Sequence, residues 1–134
     1  MPTHTDSKNI ISFKNVTKRF GSMVAIENAS FDVKKGEFVF LTGHSGAGKT
    51  TLIRLLLREI SPTSGKVLIE GRDIKLLKKS DIPHYRRKIG VIFQDFKLLQ
   101  DRTVYENVKI ATEIDGRTTS DEEKKIQKAL KDTG

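Results

Sequence analysis

The chain contains no cysteine, which excludes disulfide staples and thiolate metal sites and fits a reducing compartment. It also has no apolar run near the roughly 18 residues that a membrane-spanning helix requires. The opening MPTHTDSKNI carries no apolar signal region, so residence in the cytoplasm is expected. Internal repeats and low-complexity tracts are missing as well. At 134 residues, 36% hydrophobic and 31% charged, the chain suits one water-soluble domain with a modest core. Acidic residues are in short supply, with 17 Asp/Glu against 25 Lys/Arg for a net charge of +8. The window 54–88 alone holds ten basic residues against four acidic ones. Few aromatics interleave with that basic stretch and no nucleic-acid-binding motif occurs, so a nucleic-acid partner is not expected. A solvated face that keeps the protein soluble is the commoner reading of such a stretch, and among polyanions an anionic lipid surface is the more compatible.

What the chain does have is GHSGAGKT at 43–50, a complete G-x-x-x-x-G-K-[ST] phosphate-binding pattern. The apolar EFVFL (37–41) before it reads as a buried strand, and the Leu-rich TLIRLLLREI (51–60) after it reads as a helix. Gly43, Gly46 and Gly48 allow positive φ and a close backbone approach to a polyphosphate. Backbone N–H groups from about Gly46 to Thr51, with Ser45 and Ala47 in the same turn, point toward an anion at the start of a helix. Lys49 is a mobile cation for the β- and γ-phosphates, and the Thr50 hydroxyl is a hard oxygen ligand for Mg²⁺. The chemistry implied is binding of a nucleoside triphosphate with Mg²⁺. His44 occupies a variable slot of this pattern and reads as a loop residue. His4 and His84 lack partners at metal-ligand spacing.

Alternating apolar and polar residues predict strands over 10–20 and 25–37, and KVLIEG (66–71) predicts another before a turn at Gly71. SPTSG (61–65) ends the helix that follows the phosphate loop. SDIPHYRRK (80–88) reads as a short basic helix, and the β-branched IGVIFQ (89–94) as a buried strand of a parallel sheet. Two capping boxes, Thr103 with Glu106 and Ser120 with Glu123, predict two further helices separated by a loop at 115–120. On the second, Ile126, Ala129 and Leu130 form one apolar stripe, with acids early and lysines late.

Taken together, these features resemble the ATP-binding subunits of ABC transporters. Phe20 lies 23 residues before Gly43, as does the family's aromatic residue that stacks on adenine. Gln94, closing IGVIFQ, is similar to the family glutamine that contacts Mg²⁺ and the attacking water, so the resemblance implies catalytic roles for Lys49 and Gln94 and metal roles for Thr50 and Gln94. The segments FLTGHSGAGKT, RRKIGVIFQDFKLL and DRTVYENV look most like the branch that serves bacterial cell division. That resemblance implies an FtsX-like integral membrane partner, a place in the division machinery at the septum, a homodimer in the full-length form, and attachment to the inner face of the cell membrane. Relatives in lipoprotein release or drug export are the alternative within the family; a small phosphoryl-transferring kinase or a non-catalytic nucleotide-binding fragment lies outside it. Gln100 departs from the proline that relatives often carry there.

The family also uses an apolar strand ending in Asp-Glu, an LSGGQ-type signature loop and a later histidine. None occurs in these 134 residues; Asp121, Glu122 and Glu123 follow a loop instead. The expected fold is therefore α/β: a P-loop NTPase (RecA-like) core with the N-terminal antiparallel β-subdomain of ABC ATPases, truncated before the signature subdomain. Residues 1–134 are read as the N-terminal portion of one such nucleotide-binding domain, with 1–9 flexible. The expected activity of this portion is ATP binding without competent hydrolysis.

Overall fold

A computed structural model describes residues 9–113 and 120–134. The expectations of a flexible start, a loop at 115–119 and a Ser120 side-chain cap lie outside the described residues. The chain divides into two compact units, Met1–Gly90 and Val91–Gly134.

In the first unit, β1 (Asn9–Phe20) and β2 (Met23–Lys34) form a long antiparallel hairpin. β3 (Ser64–Ile69) pairs with the other edge of β1, and the short β4 (Arg72–Asp73) pairs with β3, giving the order β2-β1-β3-β4. One face is built from the cross-strand pairs Ile11↔Val33, Phe13↔Phe31 and Val16↔Ala29. The Phe13 and Phe31 rings stack at 4.6 Å. Strict alternation would put Asn15, not Val16, on the Phe13 face. A bulge absorbs the extra residue: Asn15 takes φ 48, and its N–H donates to Ser30 Oγ at 2.8 Å. Asn28 does the same in β2, at φ 48 with its N–H on Thr17 Oγ1 at 3.0 Å. Gly65 sits against the bulge, where a Cβ would fall 2.2 Å from the Asn15 carbonyl oxygen. No other residue fits there.

α1 (Lys49–Leu56) covers this sheet, burying Leu55 in a cluster with Phe13, Val16, Ile26, Val67, Ile74 and Tyr85. Each such apolar side chain contributes about 1.5–3 kcal/mol relative to exposure. The helix stops well short of Ile60, the end read from its leucines. A Schellman turn ends it: Glu59 N–H donates to Arg54 O at 2.9 Å and Arg58 N–H to Leu55 O at 3.0 Å, with Arg58 left-handed at φ 57. Arginine in place of glycine costs about 1–2 kcal/mol at that backbone conformation. Its side chain offsets this, donating to Ile74 O at 3.0 Å, Lys75 O at 3.2 Å and Ser61 Oγ at 2.6 Å. α2 (Ile82–Arg86) then closes the last carbonyls of α1. The Tyr85 hydroxyl donates to Leu56 O, and Arg86 donates to Leu57 O at 2.8 Å and Arg58 O at 3.3 Å. Burial pushes the Tyr85 hydroxyl up to about 12, against a smaller opposing pull from Arg86, so it stays protonated as a donor.

Two expected strands are corrected. Neither 37–41 nor 89–94 carries a β-ladder, and among the described residues the one sheet is antiparallel throughout. Phe38 is 82% exposed, Phe40 79% and Ile92 93%. The reason is physical. A hairpin strand finds its partner a few residues away, whereas a parallel strand needs distant neighbours and a cover on both faces.

The second unit holds α3 (Val104–Glu113) and α4 (Ser120–Thr133). Thr103 and Glu106 form the expected capping box: Thr103 N–H donates to Glu106 Oε2 at 2.7 Å, and Glu106 N–H to Thr103 Oγ1 at 3.2 Å. Tyr105 donates to Glu123 Oε1 at 3.2 Å, tying the two helices. On α4 Ile126 is buried and Leu130 half-buried, but Ala129 is exposed, so the apolar stripe is narrower than expected.

Candidate functional site

The phosphate-binding pattern folds as a loop that hands directly into α1. Gly43, Gly46 and Gly48 all take positive φ, at 155°, 82° and 86°. Gly48 is the N-cap residue and supplies no side-chain cap. The first helical hydrogen bond runs from Leu52 N–H to Gly48 O at 3.0 Å, so the N–H groups of Lys49, Thr50 and Thr51 form the open first turn. Three aligned donors and the positive end of the helix dipole suit an anion. Ala47 N–H donates to His44 O at 3.2 Å, which fixes the turn before the helix.

The buried Gly48 explains how the loop is anchored. A Cβ there would fall 2.4 Å from Ala25 O and 3.2 Å from Ile26 Cγ1, so the loop backbone lies directly on β2. The glycine motif does not specify Ala25, because only the fold determines which strand meets Gly48. Lys49 Nζ folds back across the loop, donating to Gly43 O at 2.6 Å and His44 O at 2.7 Å. Those bonds hold the ammonium over the same turn that the backbone donors line. Ser45 and Thr50 are exposed, as a hydroxyl must be to meet a ligand or a hydrated ion. His44 donates through Nδ1 to Ser45 O at 2.7 Å, a bond within the loop that matches its reading as a structural loop residue.

Phe20 closes β1 opposite Met23 and keeps 37% of its surface exposed. Met23 is two residues from Ala25, about 7 Å along an extended strand. The β1–β2 turn and the phosphate loop are thus joined through β2. Lys18 Nζ lies 4.9 Å from the Phe20 ring centroid and also donates to Ser61 O at 2.8 Å. Gln94 belongs to the second unit, exposed at the start of a tight turn over 94–97. In that turn Phe96 and Lys97 take φ 54 and 51, and the Lys97 ammonium pairs with Asp95, whose carboxyl it draws below the usual range.

DRTVYENV also resolves into geometry. Asn107 was not singled out from the sequence, yet its amide nitrogen donates to the carbonyls of Leu99, Arg102 and Thr103, while Leu99 N–H donates to its Oδ1 at 2.8 Å. One side chain thereby fixes the loop that delivers the capping box. An Asn four residues after a helix cap was the available signal.

The donor set fits a polyphosphate carried with a hard divalent cation. Among the described residues no group of three or more His, Asp or Glu side chains could hold a metal ion, and the exposed Thr50 hydroxyl is a hard oxygen of the kind such a cation takes. No helix among the described residues is long and apolar enough to cross a membrane.

Comparison with known proteins agrees with this geometry. The family described as ABC transporter matches residues 26–134. The cell division ATP-binding protein FtsE of Escherichia coli is 44% identical over 93% of this chain and 57% of its own length. The methionine import ATP-binding protein MetN of Rhizobium johnstonii is 41% identical over 96% of this chain and 35% of its own. Among solved structures, a dimeric bacterial ABC transporter cassette superposes with a TM-score of 0.77 at 34% identity, covering 90% of this chain and 54% of that one. A post-hydrolysis state of the same cassette is described as bound to ADP and Pi. The chain thus spans a little over half the length of its FtsE relatives, and the fold is that of the N-terminal part of an ABC ATPase, antiparallel sheet and helices included. Since the family's match takes in most of the chain, phosphate loop and Gln94 segment alike, the chain belongs to the ABC transporter family of ATP-binding domains.

Proposed function

We propose that this chain grips ATP with Mg²⁺ through Gly43–Thr51, as the nucleotide-binding part of an ABC-type subunit serving bacterial cell division. The observation that carries it is the Lys49 ammonium folded over a glycine loop whose open helical turn rests on β2. Backbone donors at Gly46, Gly48 and the first turn of α1 hold the phosphates, Ser45 and Ala47 line the loop, and Lys49 neutralises the β- and γ-phosphates. Thr50 and Gln94 are the proposed metal ligands, and the Phe20 face is the proposed platform for the base. Bound Mg²⁺ supplies charge neutralisation between the phosphates. The 134 residues contain no apolar strand ending in Asp-Glu and no LSGGQ-like loop. We therefore propose that they bind ATP without turning it over, Gln94 and Lys49 contributing to catalysis only alongside those missing groups.

Equilibrium binding of a fluorescent ATP analogue with Mg²⁺ tests the grip. Lys49→Ala should weaken binding by at least about tenfold, since it removes a charge-assisted contact of roughly 1.5–3 kcal/mol. Unaltered binding in that variant would overturn the assignment. Phosphate release by the wild-type chain should stay at background, and robust turnover that Lys49→Ala abolishes would refute the non-hydrolytic reading.

The cell-division role rests on the FtsE likeness, which supports an FtsX-like membrane partner, a homodimer in the full-length form, a divisome location and attachment to the cytoplasmic face of the membrane. The MetN likeness favours a second reading, an importer ATPase. Co-purification of the chain's full-length form with its membrane partner separates the two: an FtsX-like protein supports the first, an amino-acid permease the second.

A further inference from the structure

The basic excess of the chain has a structured centre that shares no residue with the phosphate loop. After β4 the backbone makes a 3-10 turn at Ile74–Leu76. The Asp73 carboxylate accepts from Lys75 N–H at 2.9 Å, and the Arg58 guanidinium holds the carbonyls of Ile74 and Lys75. Ile74 is buried in the core and Leu77 packs against it. Between these two anchors Leu76 is held outward, 81% exposed. Arg72, Lys75, Lys78 and Lys79 around it are all exposed, and no ion pair with another described residue engages them. Asp73 is the one acid from Gly71 to Ser80.

We propose that this turn is a landing surface for the anionic headgroups of a lipid bilayer. A preformed, doubly anchored turn presents a leucine among four cations, and both halves of that arrangement match a bilayer surface. The cations meet the headgroups, and the leucine enters the boundary with the acyl chains. A soluble polyanion gains nothing from Leu76. A nucleic acid would favour an aromatic stacking platform, which the turn lacks. The contact is direct, so it does not depend on a protein partner in the membrane.

Co-sedimentation of the 134-residue chain with vesicles tests it. Mixed phosphatidylglycerol and phosphatidylcholine vesicles should bind the chain, pure phosphatidylcholine vesicles should not, and binding should weaken as salt rises. Each lysine near an anionic surface is worth about five-fold in affinity, so Lys78→Ala with Lys79→Ala should weaken binding roughly 25-fold. Leu76→Ser, which leaves every charge in place, should weaken it by at least about tenfold. The double lysine variant should keep its far-ultraviolet circular dichroism and its ATP binding, which separates failure here from failure of the nucleotide reading. Equal binding to both vesicle types, or no effect of either variant, overturns the proposal. A DNA duplex retained at the same salt and lost in the same variants overturns it too, by giving the turn to nucleic acid.

Discussion

Gly46 and Gly48 have nearly the same left-handed backbone, at φ 82 and 86, but they are glycines for different reasons. A Cβ on Gly46 would meet nothing within 4 Å, so only the backbone angle resists a side chain there. On Gly48 it would strike the Ala25 carbonyl oxygen at 2.4 Å, and backbone cannot swing away as a side-chain tip does. Gly46→Ala should therefore cost about 1–2 kcal/mol of stability, the ordinary charge for a left-handed L-residue. Gly48→Ala should cost that and more, about 3 kcal/mol in all, because loop and strand must part. Urea unfolding without nucleotide measures both; equal losses would mean that the loop is not anchored on β2. The motif spelled out three glycines in the sequence, and their positive φ was legible from it. That one of them is a contact with Ala25 was not, because the strand it touches lies more than twenty residues away in the chain.

At the scale of elements, what could be read from sequence was what is local. The Thr103–Glu106 box announced α3 because both partners lie within one turn. Strands β1 and β2 were legible for the same reason, each from its own alternation. The paired bulges at Asn15 and Asn28 were not, since they depend on a match between two strands rather than on either pattern alone. Segments 37–41 and 89–94 have strand-like residues but no local partner, and they form no ladder. The roles of Tyr85 and Arg86 are not local, because the carbonyls they close lie at the end of another helix. The capping box also carries a pH dependence. Hydrogen bonds from the Thr103 backbone and hydroxyl, with a smaller help from Arg102 and Lys109, hold the Glu106 carboxyl below its usual range. Its folded-state value lies below the unfolded one, so its contribution to the start of α3 is complete above the normal carboxylate range and disappears as pH falls through the lowered value. Amide exchange at the first turn of α3 should accelerate on acidification relative to the helix middle, after correction for intrinsic rates. Glu106→Gln should remove most of that pH dependence while leaving α1 unaffected.

For the molecule as a whole, the net charge of +8 and the unpaired apolar segments act in opposite directions. Phe38, Phe40 and Ile92 are large side chains open to water, on stretches whose composition favours strand pairing. Like charge keeps copies of the chain apart at low ionic strength, and salt shortens the reach of that repulsion to about 8 Å near physiological conditions. Adding salt should therefore promote self-association of the isolated chain, the reverse of what happens to a complex held by opposite charges. Light scattering against salt concentration checks this, with Phe38→Ser and Phe40→Ser combined as the variant. If apolar strand pairing drives association, the double variant should remain monomeric at salt concentrations where the parent chain scatters. If both scatter alike, the association has another origin. The phosphate loop sharpens the comparison: 37–41 runs straight into Gly43, so a chain that pairs through EFVFL constrains the loop's entry, and self-association and ATP affinity should change together in the parent but not in the double variant.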